Sequence, residues 1–176
     1  MSTVTVRPMR REDLAGVWDL LQGLARYEKL LDSLSGSAER LGEHLFGGAE
    51  PRVHALVAER EGALVGYALF YLRFSSFRTR PTMWLEDLYV LESGRQHGTG
   101  RALLSAVARR SLELDCIRLE WAVLDWNEPA VAFYQRMGAA REQGWDTYGL
   151  SSAALERLAS GAGEVARASR ATSSDG

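Results

Sequence analysis

The sequence predicts a mixed α/β domain, and three observations carry that prediction. Short runs rich in Val, Leu, Ala and aromatic residues recur along the first 150 positions with strand-like alternation. Between them lie stretches whose apolar residues repeat at three- and four-residue spacing, as one face of a helix requires. Gly, Pro, Asn and Ser punctuate the boundaries. The resulting order is β-α-α-β-β-β-α-β-α-β.

Each element has its own signal. Residues 4–7 alternate and stop at Pro8, giving a first strand. From Arg10 to Tyr27, Leu14, Val17, Trp18, Leu21, Leu24 and Ala25 fall on one helical face. Ser37 is placed to cap a second helix, which Gly47-Gly48 and Pro51 terminate. The runs 53–59 and 63–74 are two strands joined by a tight turn at Glu61-Gly62. After a polar loop at 75–81, residues 83–91 form a third long strand that contains Glu86 and Asp87. A Gly-rich turn at 94–100 leads into a helix with Leu103, Leu104, Val107 and Leu114 inward. Residues 116–124 read as a strand. Asn127-Glu128-Pro129 reads as a capped helix start, with Gly138 as its stop. Residues 143–150 read as a last strand and 151–159 as a short amphipathic helix. From residue 160 to 176 the composition is too poor in bulky apolar residues to fold. The expected organisation is one domain over 1–159 with a disordered tail over 160–176.

Composition narrows the function. Twenty-one basic against 23 acidic residues give a net charge of −2, no basis for binding nucleic acid or a membrane surface. Cys116 is the only cysteine, so no internal disulfide forms and a reducing compartment fits. His44, His54 and His97 lack metal-ligand spacing, and no metal is expected. No leader-like N-terminus and no apolar run of roughly 18 residues is seen, so the expected location is the cytoplasm. Lys29 is the sole lysine and sits in a Leu-rich helix.

The turn Arg95-Gln96-His97-Gly98-Thr99-Gly100 lies between a strand and a helix. Glycines there let the backbone approach a ligand, and amide N–H groups at a helix N-terminus favour an anion. It is not a P-loop, because Gly100 is followed by Arg101-Ala102 rather than Lys and a hydroxyl residue. It is a poor dinucleotide fingerprint, because Leu103 stands where a third small residue belongs. Arg95, Gly98 and Gly100 do fit the pattern Arg/Gln-x-x-Gly-x-Gly/Ala. With Arg26-Tyr27-Glu28, Trp84-Leu85-Glu86-Asp87-Leu88-Tyr89-Val90 and Asp125-Trp126-Asn127-Glu128-Pro129, followed by Phe133-Tyr134 and Gly138-Ala139, the sequence resembles the GCN5-related N-acetyltransferases (GNAT) over roughly residues 4–158. Within that superfamily it resembles the spermidine/spermine (diamine) branch.

The resemblance implies a mixed, mostly antiparallel sheet flanked by helices, acetyl-CoA as co-substrate, a small primary amine as acceptor, and a homodimer. It implies that the main chain of Leu88, Tyr89 and Val90 holds the pantetheine arm and polarises the acetyl carbonyl. The turn Arg95, Gln96, His97, Gly98, Thr99, Gly100 and Arg101 would hold the pyrophosphate. Asn127, Glu128, Pro129 and Ala130 would line the other side. Tyr134 would contact the cofactor and protonate the leaving thiolate. Glu86 would contact the amine and relay its proton, with Tyr27, Glu28, Asp87 and Gln143 in the substrate pocket. Gln143 replaces an acidic residue of the diamine branch, which leaves a diamine, a lysine analogue such as thialysine and other small amines open. A peptide, protein or aminoglycoside acceptor, or a CoA-binding module without catalysis, are the competing readings.

These residue types suit that chemistry. An alkylammonium has a pKa of about 10.4 and must lose a proton before it attacks a thioester. A carboxylate holds the cation and takes or relays that proton. The developing oxyanion needs a fixed N–H donor, and the departing thiolate needs an acid.

Overall fold

The computed structural model describes residues 3–95, 97–144 and 146–161. The chain divides into two units, residues 1–137 and 138–176.

The first unit is built on a five-stranded sheet in the order β1-β2-β3-β4-β5. β1 (Thr5–Pro8), β2 (His54–Arg60), β3 (Ala63–Ser75) and β4 (Arg80–Val90) run antiparallel in sequence. β5 (Leu119–Glu120) joins β4 in parallel. Four helices flank the sheet: α1 (Leu14–Tyr27), α2 (Ala38–Phe46), α3 (Thr99–Glu113) and α4 (Glu128–Arg136). Alternation along the strands divides the core in two. Val57, Tyr67 and Leu69 pack with Val17, Leu20 and Leu45 of α1 and α2. Ala58, Ala68, Phe70, Met83 and Leu85 pack with Leu103, Leu104 and Val107 of α3.

Local chemistry sets the expected boundaries. Ser37 accepts from the Arg40 N–H at the start of α2, and Asn127 from the Ala130 N–H at the start of α4. Glu61 and Gly62 both have positive φ, +54° and +79°, as a two-residue hairpin turn requires. The first helix begins later than the apolar spacing predicts. Residues Arg11–Asp13 form a tighter 3-10 turn. Asp13 there receives two hydrogen bonds from Arg7 (2.6 and 2.9 Å) and one from the Arg10 N–H (2.7 Å). The Arg7 hydrogen bond holds the Asp13 carboxyl below its ordinary range. Arg7 also reaches Glu59 of β2 at 2.9 Å, so one side chain ties β1, the turn and β2 together.

The strand expected over 116–124 is much shorter. Only Leu119 and Glu120 pair, with Met83 and Trp84 of β4. Beyond them the two segments diverge, and residues 121–124 carry no ladder. β4 itself continues to Val90 against β3.

The second unit opens on Gly138, at φ +88° where the stop of α4 is expected. Its regular element is α5 (Ser152–Ala159), capped by the Ser151 hydroxyl. The strand expected over 143–150 is not formed: its described residues have no regular structure, and a strand needs a partner edge to satisfy its main chain. Of the expected tail, residues 162–176 lie outside the described residues. No described helix is long and apolar enough to cross a membrane, and the described residues hold no group of three or more His, Cys, Asp or Glu fit to bind a metal.

Candidate active site

Where β4 and the segment after β5 part, the first unit has a cleft of about 800 Å³. Its walls come from the end of α1, residues 85–90 of β4, residues 121–124, the start of α3 and the inner face of α4.

The β4 wall presents main chain. Leu91 donates its N–H to the Val65 carbonyl (2.9 Å), and the ladder pairs Tyr67 with Tyr89 and Leu69 with Asp87. Main-chain groups of an antiparallel strand alternate between its two sides. Those of Asp87 and Tyr89, with the Leu91 N–H, therefore serve β3, while those of Leu88 and Val90 point into the cleft. The Val90 carbonyl accepts from Arg95 Nε at 3.1 Å. The main chain of Tyr89, expected to share in holding the pantetheine arm, is turned toward β3.

The second wall is the α3 N-terminus. Gly98 adopts φ +77°, a left-handed conformation that bulky residues resist, and its carbonyl takes the first helical bond from Ala102. The N–H groups of Thr99, Gly100 and Arg101 precede that bond and have no acceptor within the helix. The Thr99 hydroxyl, almost fully buried, anchors the turn on the Gly94 carbonyl at 2.9 Å. Arg95, Arg101 and Arg136 bring positive charge to this end. The Arg95 guanidinium lies 5.0 Å from the Tyr27 ring centre and 6.0 Å from that of Tyr89. Tyr27 in turn donates to Asn127 Oδ1 at 3.0 Å. One chain of contacts thus joins the turn, α1 and the cap of α4.

The opposite end is acidic. Strand alternation alone would send Glu86 and Asp87 to opposite faces. A β-bulge between Leu85 and Asp87 leaves Glu86 outside the ladder, and both carboxylates line the cleft. Glu86 is exposed and accepts from Trp84 Nε1 (2.8 Å) and the Tyr71 hydroxyl (3.2 Å). Asp87 is partly buried and accepts from the hydroxyl of Tyr67, itself fully buried, at 3.1 Å. Burial, with the charges of Glu86 and Glu28, lifts the Asp87 carboxyl to about 6 against the opposing Tyr67 hydrogen bond. Glu28, just past α1, is also raised by burial.

Tyr134 of α4 stands on the same cleft. Its ring packs on Trp121 (centroids 4.8 Å apart) and Phe133 (5.2 Å). Burial, then the Glu28 charge, pushes its hydroxyl to about 12, so it is protonated at neutral pH. Among the described residues that hydroxyl has no hydrogen-bond partner.

Most expected site residues therefore converge on one wall or another: Tyr27, Glu28, Glu86, Asp87, Leu88, Tyr89, Val90, Arg95, Gly98, Thr99, Gly100, Arg101, Asn127, Pro129, Ala130 and Tyr134. Two expected residues of the first unit are not on the wall. His97 turns Nδ1 to within 2.7 Å of the Arg95 carbonyl, and Glu128 is exposed in the first turn of α4. Gln143 belongs to the second unit, where it is exposed. Gln96 lies outside the described residues. The sequence reading did not pick out Leu24, Leu85, residues 121–124, Phe133 or Arg136 as wall residues. Phe133 and Arg136 follow Ala130 at successive three-residue steps, a helical spacing that places them on its face.

Residues 22–139 match the model of the acetyltransferase (GNAT) family. The chain is 35% identical over 170 residues to thialysine N-epsilon-acetyltransferase of Bos taurus, covering 90% of this chain and 99% of that protein. It is 27% identical to spermidine/spermine N(1)-acetyltransferase-like protein 1 of Homo sapiens, over 84% of this chain and 22% of that protein. In fold it is similar to an integron cassette protein from the mobile metagenome of V. cholerae, with a TM-score of 0.73 and 22% identity over 89% of this chain and 97% of that one.

Proposed function

Since the chain belongs to the acetyltransferase (GNAT) family and is an N-acetyltransferase, we propose that it moves the acetyl group of acetyl-CoA onto a primary amine of a small diamine, polyamine or lysine-like molecule. The amine attacks directly, with both substrates bound. The observation that carries this reading is the polarity of the cleft. One end offers helix N–H groups and arginines, and the other offers Glu28, Glu86 and Asp87.

The walls fit both substrates. The α3 N-terminus, with Arg95 and Arg101, suits a pyrophosphate. The inward main chain of Leu88 and Val90 suits the amides of a pantetheine arm, as one strand suits another. A main-chain N–H there also stabilises charge that develops on the acetyl carbonyl oxygen. Tyr134 stands ready to protonate the departing sulfur. Glu86 holds the ammonium at the mouth of the cleft. Relatives named as thialysine N-epsilon-acetyltransferases support a lysine-like acceptor. By family resemblance the working form is a cytoplasmic homodimer.

Steady-state CoA release with acetyl-CoA, over spermidine, spermine, putrescine, thialysine, an aminoglycoside and a peptide, tests the assignment. Turnover confined to the first four is expected. Preferential turnover of the peptide or the aminoglycoside would refute the acceptor class. No turnover of any amine, with CoA still bound, would leave only a binding module.

Glu86→Gln adds a second check. The exposed carboxylate is screened by solvent, so its attraction for an ammonium is worth about 1 kcal/mol or less. KM for the amine is expected to rise up to about fivefold, with kcat little changed and the difference shrinking in high salt. A KM that does not move would place the ammonium elsewhere.

A further inference from the structure

We infer that Asp87, oriented by the buried hydroxyl of Tyr67, takes the proton that the bound ammonium must lose, leaving Glu86 to hold the cation. This rests on the amine-acetyltransferase reading and assigns within it a part for Tyr67.

The two carboxylates differ in what surrounds them. Glu86 is exposed and accepts from two donors, Trp84 Nε1 and the Tyr71 hydroxyl. Both donors hold the same Glu86 oxygen, Oε2, which fixes the carboxylate in place to receive a cation. Asp87 has one donor, Tyr67. The groups that act on it are Tyr67 from β3, Glu86 on its own strand and Glu28 from the end of α1. Tyr89 and Glu28 act on Tyr67 in turn. No basic side chain among the described residues forms an ion pair with Asp87. Burial and two like charges therefore favour its protonated form, and a carboxyl near neutrality is matched to general-base work.

Tyr67 supplies the geometry. Asp87 pairs across the ladder with Leu69, and Tyr67 is the next residue on the same face of β3, diagonal to it. The Tyr67 ring is fully buried between the sheet and α1, so its hydroxyl is a fixed donor. One Asp87 oxygen is held by it and the other is left for the amine.

The step balances. The ammonium gives one proton to the Asp87 carboxylate. The nitrogen lone pair forms the new C–N bond at the acetyl carbon as the C–S bond breaks. Tyr134 protonates the departing sulfur, and the second nitrogen proton restores the Tyr134 hydroxyl. Asp87 then releases its proton to solvent.

The test is Tyr67→Phe, read in two ways. The first is the carbon NMR titration of the Asp87 carboxyl in protein labelled at aspartate, assigned by its disappearance in Asp87→Asn. The second is the acid limb of kcat/KM for the amine. The Tyr67 hydroxyl stabilises the carboxylate, so removing it raises the Asp87 pKa. Both the titration and the acid limb are expected to move up by roughly one pH unit, with the dissociation constant for CoA unchanged. An Asp87 carboxyl that titrates alike in both proteins would overturn the role of Tyr67. A carboxyl that moves while the acid limb stays would overturn Asp87 as the proton acceptor. Absence of turnover with any amine in the unaltered protein, alongside a carboxyl that moves, would overturn the enzymatic reading itself and the role of Asp87 with it.

Discussion

Tyr134→Phe is expected to lower kcat for CoA release at least tenfold while the melting temperature stays within a degree or two. The ring survives the change and keeps its packing on Trp121 and Phe133. The lost hydroxyl bonds to nothing among the described residues, so the fold gives up little. General-acid assistance is typically worth roughly 10²–10⁴-fold, and water standing in for the phenol sets the tenfold floor. A hydroxyl at about 12 also keeps its proton through the neutral range. Its ionisation should therefore leave no alkaline fall in kcat below about pH 11. Turnover at saturating substrates and a thermal scan on the same preparation check all three points. Near-normal turnover with a lowered melting temperature would make Tyr134 a structural residue.

The second large effect concerns Gly100. A Cβ at this position would lie 3.5 Å from Phe133 Cζ and 3.9 Å from Val90 Cγ2, ordinary contact distances. Alanine therefore fits. Valine adds two further carbons between α3, α4 and β4, where they crowd Phe133 and block the approach to the helix N–H groups. Losing even one hydrogen bond to a charged group costs about 1.5–3 kcal/mol, which is tenfold or more in affinity. We expect Gly100→Val to raise the dissociation constant of acetyl-CoA at least tenfold by calorimetry, and Gly100→Ala to change it less than threefold. Both proteins should fold, because the site is the first turn of a helix whose inner face is untouched. A folded valine variant with native CoA affinity would move the pyrophosphate away from this turn.

Features decided by neighbouring residues were legible before the structure. Ser37 and Asn127 cap helices and Glu61-Gly62 turns a hairpin because each acts within four residues of chain. The features that were not legible depend on distant partners. The run 116–124 has strand character throughout, yet its pairing ends where β4 diverges from it, which no local pattern encodes. That is why residues 121–124 were not read as cleft wall. The bulge at Glu86 depends on its register with β3, so alternation alone allowed only one of the two carboxylates into the site. Tyr67 lies within the run 63–74, and only its diagonal contact with Asp87 distinguishes it from its neighbours. Arg7 shortened the predicted first helix for the same reason: the carboxylates it joins are 6 and 52 positions away.

The early end of the β4–β5 ladder has a colloidal side. A strand edge with its amides unpaired is a template on which another chain can add, and soluble proteins cover or charge such edges. Among the described residues, neither a strand nor a proline guards the edge at Leu88 and Val90. It is recessed between α3 and α4, and the molecule we propose beside it is the acyl donor. Occupancy and resistance to aggregation should therefore rise together. On slow warming, protein saturated with CoA should stay clear in light scattering to a higher temperature than the same protein alone, and Gly100→Val should lose most of that protection.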